Sequence, residues 1–399
     1  MFYPGSALER AMRIQEVLLR AISGKIHWFQ AAEILGVTPR TMHRWKVHFE
    51  SHGYDAFIDR RRGHPSPKRV SVATLQRVLT LFREHYNDFN VKHFHEKLVE
   101  QHGISLSYSW VKTVLQNAGL VARHPRRGKH RKARPRRPLE GMLLHLDASR
   151  HCWMPLRPDQ KDDLLVLMDD ATNRVYEALL VPEENTLSVM QVLSDCIRKN
   201  GVFCAIYTDR ASHFGYTPKQ GGPVDRSRPS QVGRALEQLQ IQHIFAYSPQ
   251  ARGRSERLFG TWQGRLPQEL RLRGISDRGA ANAYLRQKFI PWHNRRMTVA
   301  AQQQGSAFVP VADKKRLDQI FCLESERTVS NDNTFVYGNR RLQIERCPWR
   351  FSFARASVLV REHLDGRISV WYGPNRIGLY DAAGRPTRQA RMAASGGGR

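Results

Sequence analysis

Asp147, Asp209 and Glu256 are the side chains of this 399-residue chain whose type and setting could do chemistry. Asp147 closes the apolar run Met142-Leu143-Leu144-His145-Leu146, and Asp209 closes a second run from Val202 to Thr208. Glu256 follows the turn-forming Tyr247-Ser248-Pro249-Gln250 and opens the helix-like stretch Arg257 to Trp262. Two acids at the tips of buried strands and one on a facing helix can converge on one point and hold divalent cations. Phosphodiester cleavage needs an in-line nucleophile, a neutralised phosphate and a stabilised leaving oxygen, and two Mg²⁺ or Mn²⁺ ions roughly 4 Å apart supply all three. Carboxylate oxygens suit these hard ions, and no His/Cys set here suits zinc. In this reading Asp147 bridges both ions, Asp209 holds one and Glu256 completes the other. Taken alone, Asp147 is as well explained by a capping or turn role. The neighbouring acids have ordinary explanations: Asp169 and Asp170 sit in a turn, and Glu183 and Glu184 fall at a helix start, where the dipole favours them.

The elements that must position these acids lie in residues 140–305. Strands are predicted near 142–147, 164–169, 174–181 and 203–208, with a hairpin turn at Asp169-Asp170-Ala171-Thr172-Asn173. Helices are predicted near 184–199, 230–239 and 253–270, with a short strand near 241–245. Three strands, a helix, a strand, a helix, a short strand and a further helix is the order of an α/β ribonuclease-H-like fold. The Gly- and Pro-rich run 215–229 reads as a surface insertion between the second acid and the third. From 310 to 382 short alternating strands, separated by turns such as Tyr337-Gly338-Asn339 and Leu364-Asp365-Gly366, predict a small β-barrel. Residues 383–399 are poor in apolar side chains and read as a disordered tail.

Two all-α units are expected ahead of that core, which makes the chain multidomain. In 1–64, Ala11, Ile14, Leu18 and Ile22 form a helical stripe, and Phe29 to Trp45 reads as a helix-turn-helix. Ala32 lets two helices approach, Gly36 permits the left-handed turn, and Thr38 and Pro39 fit the N-cap and first helical positions. Val37, Met42 and Trp45 then face inward, which leaves Arg40, Thr41, His43 and Arg44 for the major groove of double-stranded DNA. The plainer alternative is an ordinary helical hairpin. Arg60, Arg61 and Arg62 continue the basic character. Residues 68–122 read as a second helix-turn-helix, of the winged type, with Ser109, Lys112 and Thr113 outward; a three-helix spacer is the bland alternative. In 123–139 Arg, Lys, His, Pro and Gly dominate, so no core can form. That linker suits a cationic strap whose Arg126, Arg127, Arg131 and Lys132 track phosphates without reading bases.

Composition agrees with a polyanionic partner. The formal charge is +28, from 64 Lys and Arg against 36 Asp and Glu, and nucleic acid is the first candidate. A ribosomal or generally adhesive basic protein would share the charge, but the 41% hydrophobic content allows a folded core of normal size. The scattered cysteines, 152, 196, 204, 322 and 347, include no CxxC pair and give no disulfide framework. With no membrane-length apolar stretch and no signal-peptide h-region, a cytoplasmic, nucleoid-associated protein is expected.

The blocks Leu144-His145-Leu146-Asp147-Ala148-Ser149, Tyr207-Thr208-Asp209-Arg210-Ala211-Ser212-His213-Phe214 and Ser248 to Thr261 resemble the DDE transposases with an integrase-type catalytic core. The likeness is greatest to the ISNCY group of insertion-sequence transposases. Phe289-Ile290-Pro291-Trp292-His293-Asn294-Arg295-Arg296 is similar to the helix that follows catalysis in this family. The resemblance implies binding to the terminal inverted repeats of an element and cutting at its ends by a metal-activated water. The freed 3′-OH then joins target DNA, in a dimer or larger assembly. Arg252, Arg254 and Arg257, around Glu256, are expected on phosphates. Two departures stand out. Arg210 occupies a place where the family often has Asn, and the spacing from Asp209 to Glu256 is long, most of the excess lying in 215–229. A helix-turn-helix protein with an inert core, or a nuclease of the same fold, is the competing expectation.

Overall fold

A computed structural model describes residues 5–57, 70–123, 135–218, 222–225, 227–247 and 253–387. The expected strap side chains Arg126, Arg127, Arg131 and Lys132, together with Arg60, Arg61, Arg62 and Arg252, lie outside the described residues. The chain divides into two compact units, Met1–Glu84 and His85–Arg399.

In the first unit, α1 (Gly5–Ile22), α2 (Trp28–Leu35) and α3 (Pro39–His52) close around Leu18, Ala32 and Met42, with Val37 and Trp45 packed at the edge. The turn forms as its residues dictate. Gly36 takes φ 65°, and the Val37 amide returns to the Ala32 carbonyl at 2.9 Å. Thr38 caps α3, its hydroxyl accepting from the Thr41 amide. Arg40, His43 and Arg44 are exposed on the outer face. Thr41 is half-buried and its hydroxyl bonds that of Thr38 at 2.9 Å, so it serves the cap rather than the open surface. α4 (Val72–His85) follows.

The second unit opens with α5 (Val91–His102) and α6 (Tyr108–Asn117). Ser107 caps α6 and Val111 and Leu115 are its buried side, which leaves Ser109, Lys112 and Thr113 exposed. No strand lies between α6 and the core among the described residues, so the expected wing has no counterpart there.

The core sheet holds β1 (Leu144–His151), β2 (Asp162–Asp169), β3 (Val175–Val181), β4 (Ala205–Thr208) and β5 (Gln242–Phe245) in the order β3-β2-β1-β4-β5. β1, β2 and β3 pair antiparallel, whereas β1 with β4 and β4 with β5 pair parallel. This is the arrangement expected of the ribonuclease-H-like order. Every residue of β2 is buried, as a central strand covered on both faces requires. One face packs Leu144, Leu146, Leu165 and Leu167 against α7 (Thr186–Asn200) and α8 (Gln231–Gln238). The other packs Leu164, Val166 and Met168 against α9 (Gly253–Gln263), α10 (Leu266–Leu272), α11 (Arg278–Tyr284) and α12 (Ile290–Met297). The helix expected over 253–270 is broken at Gly264-Arg265, and Pro267 sits in the first turn of α10.

The C-terminal region departs from expectation. After α13 (Lys314–Ile320), β6 (Cys322–Thr328), β9 (Ser357–His363), β10 (Ile368–Tyr372) and β11 (Asn375–Tyr380) form an open sheet in the order β11-β10-β9-β6. β7 (Thr334–Tyr337) and β8 (Arg340–Gln343) form a separate two-stranded sheet. A barrel would need hydrogen bonds closing the edges of one sheet, and these strands are split between two. Among the described residues no helix is long and apolar enough to cross a membrane.

α5 docks on the core mainly through charge. Arg265, buried, grips Glu96 with two nitrogens at 2.7 and 3.2 Å and lies over the Trp292 ring. Glu269, also buried, accepts from His93 at 2.7 Å and Lys97 at 2.6 Å. Burial works against the Glu269 charge, but the His93 and Lys97 hydrogen bonds outweigh it and hold the carboxyl below its usual range. Asn90 caps α5 and donates to the Gly264 carbonyl at 2.9 Å.

Burial lowers the His93 pKa against the pull of Glu269. A proton is therefore bound more readily by the unfolded chain, so His93 costs stability as pH falls below about 6.5. His93→Gln, which keeps a donor toward Glu269, should show a shallower loss of thermal midpoint between about pH 7.5 and 5.5. Parallel slopes in wild type and variant would contradict this.

Candidate active site

Strand register brings the first two acids together. In the parallel pair, Leu144 faces Ile206 and His145 faces Tyr207. Two residues further along are Asp147, within β1, and Asp209, the residue that follows β4, on neighbouring chain segments whose strands are spaced about 4.8 Å apart. Alternation decides which face they use. Leu144, Leu146 and Ile206 serve the α7 and α8 side, so Asp147 and Asp209 belong to the opposite side. Asp147 is paired with Val166, which packs among the α9 to α12 residues. Asp147 is also not at a strand tip as expected: β1 runs on to His151, and the aspartate is buried within it.

α9 covers that face. Ser255, Leu258, Phe259 and Trp262 are its buried positions, at helical spacing, and Trp262 donates from its indole to His293 Nδ1 at 3.0 Å. Glu256 and Gly260 are exposed, one turn apart, beside Phe259. Together with Ser149, Arg210, Tyr247 and Gln263, these residues and both aspartates line one cleft of about 740 Å³. All three acids singled out by the sequence thus share a cavity. Among the described residues, no three of His, Cys, Asp and Glu are drawn together as a ready-made metal site. The Asp147 Oδ1 accepts from the Ala148 amide at 2.9 Å, and the Asp209 Oδ1 from the Ala211 amide at 3.0 Å.

Among the lining residues, Gln263 has no sequence signal of its own. Gln263, two turns beyond Glu256, donates to the Ser149 hydroxyl at 3.0 Å and spans from α9 to β1. Arg210 donates to the Gly222 carbonyl at 2.8 Å and stacks on Tyr247, whose ring is 59% exposed. Gly222 is thereby tied to the site through Arg210.

Asp170 has a larger part than a turn residue. It is fully buried, and its carboxylate accepts from His145 Nε2 at 2.7 Å, from the Arg137 amide at 2.7 Å, and from Arg254. Burial opposes its charge, yet these donors hold its carboxyl well below the usual range. Arg136 donates to the Asp170 and Ala171 carbonyls, which ties down the end of the basic linker. Arg254 was expected on phosphates. Its guanidinium instead turns inward to Asp170 and the Pro135 carbonyl, so it anchors the start of α9 to the hairpin beside β1. Arg257 is exposed. Asp169 is likewise structural, accepting from the Gly141 amide and from Thr172.

Comparison with known proteins decides the family. A helix-turn-helix domain model matches residues 15–65, and a homeodomain-like domain model matches 41–115. The protein named "Putative transposase y4bF" of Sinorhizobium fredii (strain NBRC 101917 / NGR234) is 30% identical over 389 residues, 96% of this chain and 83% of the relative. The chain belongs to the insertion-sequence transposases. The transposase for insertion sequence IS1202 of Streptococcus pneumoniae is 25% identical over 88% of this chain and 82% of its own length. The catalytic core domain of HTLV-2 integrase, solved in complex with magnesium in a dimeric form, covers 42% of this chain and 94% of its own at 16% identity. Its TM-score of 0.30 is too low for any residue or activity to transfer.

In this transposase the buried charges at Asp170 are mutually dependent. Asp170→Ala strands His145 and Arg254 and should cost about 3–5 kcal/mol in denaturant unfolding, the usual effect of breaking a buried pair. Asp209→Asn, half-buried at the cleft, should cost less than about 1 kcal/mol. Similar losses from both would remove the Asp170 hub from its structural role.

Proposed function

We propose that this DNA transposase cuts at the ends of its element through Asp147, Asp209 and Glu256 and joins the freed 3′-OH to target DNA. One observation carries the reading: carboxylates from β1, from the end of β4 and from α9 line a single cleft with no His or Cys among its lining residues. Such an all-oxygen donor set fits Mg²⁺ or Mn²⁺ rather than zinc. A pair of these ions, when bound, would neutralise the scissile phosphate, activate the attacking oxygen and stabilise the leaving one.

The chain's own groups receive and orient the DNA. Arg257, exposed next to Glu256, offers a charge to a phosphate. At Gly260 a Cβ would meet nothing within 4 Å, so a nucleic-acid backbone has room beside the acids. Tyr247, steadied by Arg210, presents a flat ring on which a base can stack. Arg40, His43 and Arg44 are exposed on α3 and in this reading contact the terminal inverted repeats, while the exposed Ser109 and Lys112 of α6 add contacts. Arg60, Arg61, Arg62, Arg126, Arg127, Arg131, Lys132 and Arg252 supply charge for phosphates in this reading. Handling two element ends and a target calls for a dimer or larger assembly on DNA, at the nucleoid.

With Mg²⁺ and end-labelled repeat DNA, wild type should yield nicked and target-joined products. Asp147→Asn, Asp209→Asn and Glu256→Gln should each lose more than about 10³-fold in both steps while still binding DNA. Undiminished product from any of the three variants would take the chemistry away from this cleft. Arg40→Ala and Arg44→Ala should each weaken binding to the cognate end by about 1–3 kcal/mol. An equal loss on random DNA would make them phosphate contacts only.

A further inference from the structure

The loop between β8 and β9, residues 344–356, combines rigidity with exposure in a way the cleft chemistry does not use. Cys347 and Arg350 bridge across Pro348-Trp349 to form a tight reversal. The Arg350 guanidinium lies over Tyr372 of β10 at 4.4 Å and over Phe353 at 5.1 Å, and its Nε donates to the Ser352 carbonyl at 2.7 Å. Asn333 Oδ1 accepts from the Ser352 hydroxyl at 3.0 Å and the Phe353 amide at 2.6 Å. Phe353 is buried among the sheet residues. Between these two fixed points Phe351 is 100% exposed, and Trp349, two residues earlier, is 52% exposed. Folding gains nothing from a ring held wholly in water.

Charge indicates what meets it. Residues 344–356 carry three cations, Arg346, Arg350 and Arg355, against one acid, Glu345, so the loop is net positive. Arg346 and Arg355 are exposed, and Arg355 is held in a left-handed conformation at φ 61°, with its amide on the Val329 carbonyl. A second copy of this chain, itself at +28, would bring like charge against the loop. A nucleic acid brings phosphates for the arginines and base faces for the rings. We infer that the 346–355 loop is a DNA-contact site in which Phe351 stacks into an opened base step while Arg346 and Arg355 hold the flanking phosphates. Apolar wedges of this kind unstack a step and bend the duplex, and aromatic stacking tolerates any sequence because every base has a π-face. The C-terminal sheets would then grip DNA without reading it. This inference does not depend on the three carboxylates.

The full-length protein can be tested with a nicked duplex of random sequence carrying 2-aminopurine beside the nick. Wild type should raise the 2-aminopurine fluorescence. Phe351→Trp should keep the rise, and Phe351→Ala should lose it and bind roughly tenfold more weakly, with an unchanged thermal midpoint because the side chain is fully exposed. Asp147→Asn, although it loses cleavage and joining, should give the same fluorescence rise, which separates a failure of the cleavage reading from a failure of this one. Arg346→Ala with Arg355→Ala should flatten the salt dependence of binding. No fluorescence rise with wild type, or the same rise with Phe351→Ala, would overturn the inference. So would a Phe351→Ala protein that keeps the rise but changes oligomeric state without DNA, since the loop's partner would then be protein.

Discussion

The pairing of β1 with β4 is the constraint on which the candidate site depends. Only Leu144 with Ile206 and His145 with Tyr207 are in register, but that short ladder fixes two things at once. It brings Asp147 level with Asp209, and by alternation it turns both toward α9 instead of α7. A slip of one residue would send one aspartate into the Leu144, Leu146 and Val189 core, where a carboxylate has no partner. The apolar side chains on the α7 face therefore hold the acids in line by resisting any such slip.

The third acid is placed by a different kind of bond. α9 is seated by Leu258, Phe259 and Trp262, and apolar contact of that sort is forgiving in direction. Direction comes from Arg254, whose guanidinium meets the Asp170 carboxylate beside His145. Asp170 thus joins the strand that carries Asp147, the helix that carries Glu256 and the end of the basic linker. A second buried carboxylate, Glu269, plays the corresponding part where α5 meets α10. Buried charge is a weak source of net stability, but it is exacting about geometry. Both hubs lie where geometry counts: at the start of the candidate catalytic helix and at the joint with the α5 and α6 helix pair.

The C-terminal strands illustrate the limit of pattern reading. Short alternating strands in 322–380 are correct as strands, including β7 and β8 around the Tyr337-Gly338-Asn339 turn, yet they do not close. Strand alternation reports which faces are buried and not which edges are bonded. The pairing of β6 with β9, across the whole of β7 and β8, has no local signature. Neither β11 nor α13 is among the elements expected from the sequence: Asn375 to Tyr380 includes Gly378, and Lys314 to Ile320 is only about two helical turns.

What the sequence by itself determined is what short-range physics controls. Ala32, Gly36, Thr38 and Pro39 specify a helix-turn-helix through close approach, a positive φ and a cap. The apolar runs before Asp147 and Asp209 specify strands, and the order of elements specifies an α/β core. What only the tertiary structure decided is who meets whom. Arg254 faces inward although its setting matches that of exposed Arg257. Asp170 is a buried hub although it looks like any turn aspartate. Gln263 joins the cleft with no motif to announce it, and Arg210 and Tyr247, which the sequence marks only as neighbours of the acids, line it as well. The physical reason is the same in each case: burial and ion pairing depend on residues tens to more than a hundred positions away, and no local periodicity or spacing encodes those distances.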